Sequence, residues 1–253
     1  MSEGTGVVSP DWWQAVWQDL EWGTYDQDFV LWRELAAGRG DVMDLGCGAG
    51  RVALDLAEAG HSVTAVDSDE ALVADLGRYV RGKELSVEPV VADARTLDLG
   101  RQFGLVIAPM QLLQLLRSGA DRRRALQRVH EHLQAGGLFA TALTDLEGEG
   151  LDSDWLAPLP DMREYDGHVF CSQATAIRTV DSGRAITLHR QRTVVTPDGR
   201  AFDSEDEVRL ELITPEQLEA EIKSAGLRPL EQRQIPPTDH FMGSIALIAE
   251  KPA

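Results

Sequence analysis

Cysteine is scarce: the 253 residues hold two, Cys47 and Cys171, far apart in the chain. Such a pair fits neither a disulfide framework nor the clustered spacing of a metal site, so no metal and a reducing, cytoplasmic setting are expected. Basic residues are also short, 24 Lys and Arg against 42 Asp and Glu, a formal net charge of −18. A phosphate backbone is held chiefly by Lys and Arg, so nucleic acid is not an expected partner. The densest basic run, Arg122–Arg123–Arg124, reads as a solvated helix face. No apolar run approaches the ~18 residues of a membrane helix, and the first residues lack a charged-then-apolar signal pattern, so no membrane contact is expected. Repeats and low-complexity tracts are missing as well.

What is present is core material. Hydrophobic residues make up 43% of the chain, ordinary for a globular protein, and the length suits one α/β domain with an insertion, or one domain plus a small second one. Five of the six tryptophans fall in residues 11–37, where Trp13 and Trp17 lie one helical turn apart; one or two amphipathic helices are expected there. From residue 42 strands and helices alternate. Apolar runs 42–45, 62–67, 85–92, 103–108 and 138–143 read as strands, with helices at 51–59, about 70–81 and 121–133 between them. Ser68 reads as the cap of the second of these helices. After Asp145 come a glycine- and proline-rich loop and three extended segments, 168–180, 184–196 and 207–212, separated by Asp-Ser-Gly and Pro-Asp-Gly turns, which predict a three-stranded antiparallel insertion. Thr214–Pro215–Glu216 opens a last helix, and 227–234 and 244–250 supply two final strands.

The chain is organised around Val42–Met43–Asp44–Leu45–Gly46–Cys47–Gly48–Ala49–Gly50, a buried strand, a glycine turn and the start of a helix at Arg51. Dinucleotide sites use G-x-G-x-x-G, whose third small residue lets helix and strand pack closely; Arg51 stands there instead. The pattern D-x-G-x-G-x-G resembles motif I of the class I S-adenosylmethionine-dependent methyltransferases. Acids at the ends of the next two strands, Asp67 and Asp93, extend the likeness, because ligands of open parallel sheets lie beyond the carboxyl ends of the strands.

This resemblance implies a Rossmann-like, doubly wound seven-stranded sheet with an antiparallel last strand. It implies a helical cap at 1–40, a cofactor-binding core at 41–145 and 214–253, and an inserted β cover over the acceptor at 146–213. It also implies S-adenosylmethionine as cofactor and S-adenosylhomocysteine as product. Asp44, Gly46, Cys47, Gly48 and Gly50 would line the amino-acid end, with Tyr25 folded over it. Asp67 would take the ribose hydroxyls and Asp93, in Val91–Ala92–Asp93–Ala94, the adenine amino group, with Ser68, Ala94 and Pro109 also at the cofactor. The segment Ile107–Ala108–Pro109–Met110 departs from the Asn/Asp-Pro-Pro-aromatic pattern of enzymes that methylate nucleobase or glutamine amino groups.

A small-molecule acceptor, methylated on O or N by in-line displacement, is therefore the expected substrate, with the protein a monomer or homodimer. Gln111, Gln114, Tyr165 and Asp239 are candidate acceptor contacts, and His168 and His240 candidate bases; His130 and His132 read as solvated. The alternatives are a non-methylating S-adenosylmethionine-binding member of the fold and an NAD(P)-dependent oxidoreductase.

Overall fold

The computed structural model describes residues 10–144, 159–238 and 241–253. Two helices lead, α1 (Trp13–Trp22) and α2 (Phe29–Ala36), followed by β1 (Val42–Leu45), α3 (Arg51–Glu58), β2 (Val63–Asp67), α4 (Glu70–Val80), β3 (Val87–Val91) and β4 (Phe103–Ala108). A short α5 (Leu112–Leu115), α6 (Gly119–His132) and β5 (Leu133–Thr144) complete the first half. Then come β6 (Asp161–Tyr165), β7 (His168–Val180), β8 (Ala185–Val195), β9 (Ala201–Glu211), α7 (Pro215–Ser224), β10 (Arg228–Ile235) and β11 (Ser244–Glu250).

The strands form two sheets. The first has seven strands in the order β10-β11-β5-β4-β1-β2-β3, and β11 runs antiparallel to both of its neighbours. This is the Rossmann-like arrangement expected. Alternate residues of its central strands feed two cores, one on each face, as a sheet covered on both sides requires. Val42, Leu105 and Ile107 pack with Trp32, Ala53 and Leu56 on one face; Met43, Leu45 and Val106 pack with Leu126, Val129 and Ile222 on the other. Asp44 shares the first face, which places a carboxylate inside an apolar layer.

The second sheet is antiparallel, β6-β7-β8-β9, and it has four strands where three were expected. β6 escapes sequence reading because it is a polar, exposed edge held to β7 by backbone pairing. β9 begins at Ala201, ahead of its apolar alternation, since the acidic stretch 203–206 pairs with β8. In the first sheet β5 starts early: Leu133 pairs with Phe103, and a register shift across Gly136–Gly137 precedes the pairing of Leu138 with Leu105. Two local expectations also change. Asp69, not Ser68, caps α4, accepting the Ala71 and Leu72 N–H groups. His132 is buried, not solvated: Nε2 accepts the Leu99 N–H (2.9 Å) and Nδ1 lies 2.7 Å from the Arg128 carbonyl.

Helix α1 ties the sheets together. Trp13, Val16, Trp17 and Leu20 form a third apolar cluster with Phe170 and Val194 of the second sheet. Burying a large apolar side chain contributes roughly 1.5–3 kcal/mol, so this cluster anchors the helix firmly.

Candidate cofactor site

The turn after β1 is built from three glycines with positive φ, Gly46 (+78°), Gly48 (+55°) and Gly50 (+95°), where a side chain would be strained. Space is also limiting, for a Cβ on Gly50 would lie 2.6 Å from Leu76 of α4. Asp67 locks the turn from the end of β2. One carboxylate oxygen accepts the Gly48 N–H (2.8 Å) and the other the Asp69 N–H (2.9 Å). Both oxygens keep lone pairs for further donors.

Beyond the carboxyl ends of β1, β2 and β3 lies a cavity of about 290 Å³. Gly46, Asp67, Ser68, Asp93 and Ala94 line it on one side and Leu112 on another. Two strand-end acids, Asp67 and Asp93, thus share one cavity with the apolar side chain of Leu112. Asp93 is ion-paired with Arg95, whose guanidinium holds the carboxyl down to about 2. Arg95 reaches on toward Asp121 at the start of α6 (3.5 Å).

Asp44 stands at the end of β1, fully buried, and neither of its oxygens has a hydrogen-bond partner of ordinary length. Burial pushes its pKa up to about 7; the nearby Arg51 opposes that shift and Asp67 adds to it. Cys47 is buried beside it, and burial first, then Asp44 and Asp67, raise the thiol well above its usual range. A neutral buried thiol is a poor nucleophile, so Cys47 contributes shape.

The residue that breaks the dinucleotide pattern has its own task. Arg51 reaches away from the turn, donating to the Tyr25 carbonyl (2.7 Å) and to both oxygens of Asp28 (2.8 and 2.7 Å). Its guanidinium lies 5.0 Å from each of the Tyr25 and Phe29 rings. Asp28 is 1% exposed and also accepts the Trp32 Nε1–H (2.7 Å). Tyr25 is thereby held buried against Phe241 (5.1 Å between rings), with its hydroxyl on Ser244. Burial, with Asp28 adding, pushes that hydroxyl up to about 12, so it stays protonated. Gln18 of α1 completes the turn: its Oε1 accepts the Ala49 N–H (2.9 Å) and covers the face of Gly48. Neither Gln18 nor Asp28 carries a sequence signal, since both reach the turn only by the docking of helices.

The other expected contacts scatter. Pro109 is buried just past β4. Gln111 opens α5 with φ +22°, and Gln114 is buried, its amide oxygen accepting the Thr144 N–H (2.8 Å) and its nitrogen facing the Glu211 carbonyl (3.5 Å). Tyr165 lines a second, more open cavity of about 450 Å³ with Asp11, Trp12 and Arg78. His168 packs on the Trp12 ring (5.5 Å) and near Phe170 (6.3 Å), with Nδ1 2.9 Å from the Asp166 carbonyl. It does not line the first cavity. Asp239 and His240 lie outside the described residues. Among the described residues no group of three or more His, Cys, Asp or Glu is arranged to hold a metal ion.

Known proteins resemble this arrangement. Residues 42–137 match the family model of the methyltransferase domain. The cypemycin N-terminal methyltransferase of a Streptomyces species is 32% identical over 104 residues, 41% of this chain and 42% of that protein. An S-adenosylmethionine:tRNA ribosyltransferase-isomerase from Bradyrhizobium sp. is 29% identical over 159 residues, 56% of this chain and 40% of that protein. The chain spans between 33% and 53% of the length of the curated relatives it matches. In fold, the sugar N-methyltransferase KedS8 from Streptoalloteichus sp. superposes with a TM-score of 0.72 at 20% identity, over 100% of this chain and 99% of that one. The cavity, with acceptors at two strand ends beside Gly46 of the glycine turn, fits S-adenosylmethionine. Residues 42–137 thus carry a methyltransferase domain, and S-adenosylmethionine is its cofactor.

Proposed function

We propose that the whole chain transfers a methyl group from S-adenosylmethionine to an O or N atom of a small molecule. The observation that carries this is the convergence of Gly46, Asp67 and Asp93, from three successive strand ends, on one cavity. Asp67 and Ser68 would hold the ribose, Asp93 and Ala94 the adenine, and Asp44, Gly46, Cys47, Gly48 and Gly50 the amino-acid end under Tyr25. The cofactor supplies a methyl group on a sulfonium, which is its own leaving group. The protein therefore has to align, exclude water and, for a protonated acceptor, take one proton. Proximity and orientation alone can supply ~7–11 kcal/mol of a barrier. Gln111, Gln114, Tyr165 and Asp239 are the candidate acceptor contacts, and His168 and His240 the candidate bases. A small acceptor is supported by the acidic balance, a net −18, and by the four-stranded sheet inserted after β5. Neighbours of the same fold are described as sugar N-methyltransferases, which agrees with it. The reading carries with it a cytoplasmic monomer or homodimer without nucleic-acid or membrane partners. No helix among the described residues is long and apolar enough to cross a membrane.

Calorimetric titration with S-adenosylmethionine, S-adenosylhomocysteine and NADH tests it. Both sulfur nucleotides should bind and NADH should not. Asp67→Ala should weaken binding by about tenfold or more, the size of a lost hydrogen bond to a charged group. Binding of NADH alone would overturn the proposal.

A further inference from the structure

The inner face of the second sheet carries a cluster of charges that the cofactor site does not use. Glu21, on α1 and 5% exposed, accepts Ser172 Oγ–H (2.7 Å) and two N–H groups of Arg192 (2.8 Å each). Arg192 also reaches Asp206 Oδ1 (2.9 Å). Two groups are left over. Arg190 is 10% exposed at its side chain, and its Nε lies 3.9 Å from Glu21 Oε2, too far for a hydrogen bond. Asp206 Oδ2 and Arg190 Nε are both buried without a hydrogen-bond partner among the described residues. Their residues are cross-strand partners, Arg190 of β8 in register with Asp206 of β9.

A buried donor or acceptor without a partner costs roughly 1–3 kcal/mol, so an adjacent orphan pair calls for an occupant. The four charges sum to zero. An anion would meet Asp206, and a cation would meet Arg190. A hydroxyl suits both, accepting from the guanidinium and donating to the carboxylate. The neighbouring surface narrows the choice further. The Arg190 guanidinium lies 5.5 Å from the centre of the half-buried Trp22 ring. Trp22 continues to Phe241 (6.1 Å) and Phe241 to Tyr25 (5.1 Å), the ring that Arg51 holds beside the glycine turn. A hydroxylated ring has polar edges and apolar C–H faces, and would match the orphan pair and the aromatic wall together.

We propose that Arg190, Asp206 and Trp22 form an acceptor-recognition subsite that takes a hydroxylated ring, as in a sugar or a sugar-bearing molecule. This rests on the methyl-transfer reading above. It places recognition on β8, β9 and α1, apart from the glutamines of α5.

Saturation-transfer NMR on the full chain tests it, with D-glucosamine and cyclohexylamine as probes, each with and without S-adenosylhomocysteine. The two amines differ chiefly in their hydroxyls. Glucosamine should receive saturation on its ring protons, and cyclohexylamine should bind about tenfold more weakly or not at all. Arg190→Met and Asp206→Asn should each weaken glucosamine by about tenfold while S-adenosylhomocysteine still binds. Trp22→Leu, outside the ion cluster, gives the same readout should a cluster variant fail to fold. Equal binding of the two amines, or glucosamine binding untouched by all three substitutions, would overturn the subsite. Loss of nucleotide binding by the wild type would instead sink the methyl-transfer reading, and the arm without nucleotide still decides the subsite.

Discussion

Asp44 is the residue whose environment makes the sharpest claim. Its folded pKa of about 7 lies above the ordinary carboxylate value of 3.8, because the charged form is desolvated. A native state that binds the extra proton is stabilised at low pH, and that contribution is lost as pH rises through about 7. Unliganded wild type should therefore lose about 1 kcal/mol or more relative to Asp44→Asn between pH 5.5 and 7.5, roughly 2–4 °C of melting temperature. Thermal melts of both proteins across that range check it; parallel curves would show that Asp44 is already ionised at low pH. The sequence made Asp44 legible as a motif acid at a strand end. Its isolation was not legible, since that depends on the apolar layer assembled from Trp32, Ala53 and Leu56.

At the level of elements, Arg51 joins α3 to the segment between α1 and α2. Removing one partner of a buried ion pair strands the other, at a cost of about 3–5 kcal/mol. Arg51→Met should destabilise the protein by that amount in denaturant unfolding, and Asp28→Asn in the same chain should recover part of it. A simple sum of the two single losses would rule out coupling. The central strands were readable because buried parallel strands are short apolar runs stopped by Gly, Pro or Asp; β4 was read at its observed limits, Phe103–Ala108. β6 and the first half of β9 were not, since edge pairing asks nothing of side-chain pattern. Arg51 could be read as a departure from a dinucleotide turn, but its partner 23 residues upstream could not.

Across the whole molecule, α1 touches both halves of the chemistry. Gln18 bonds the glycine turn, and Glu21, less than one turn further on, bonds the second sheet. A nucleotide that settles the turn then also settles the helix on which the acceptor's side of the site is mounted. Thermodynamic linkage makes such an effect mutual: whatever factor the nucleotide adds to acceptor affinity, the acceptor must return to the nucleotide. Coupling of this kind commonly amounts to about 5–150-fold. Titrating S-adenosylhomocysteine with and without saturating glucosamine should give at least about a fivefold gain in the wild type and none in Glu21→Leu. Equal affinities in both wild-type titrations would mean that the two sites are independent. With the coupling present, neither ligand is held at full strength alone, so a lone nucleotide or a lone acceptor is released sooner than the productive pair.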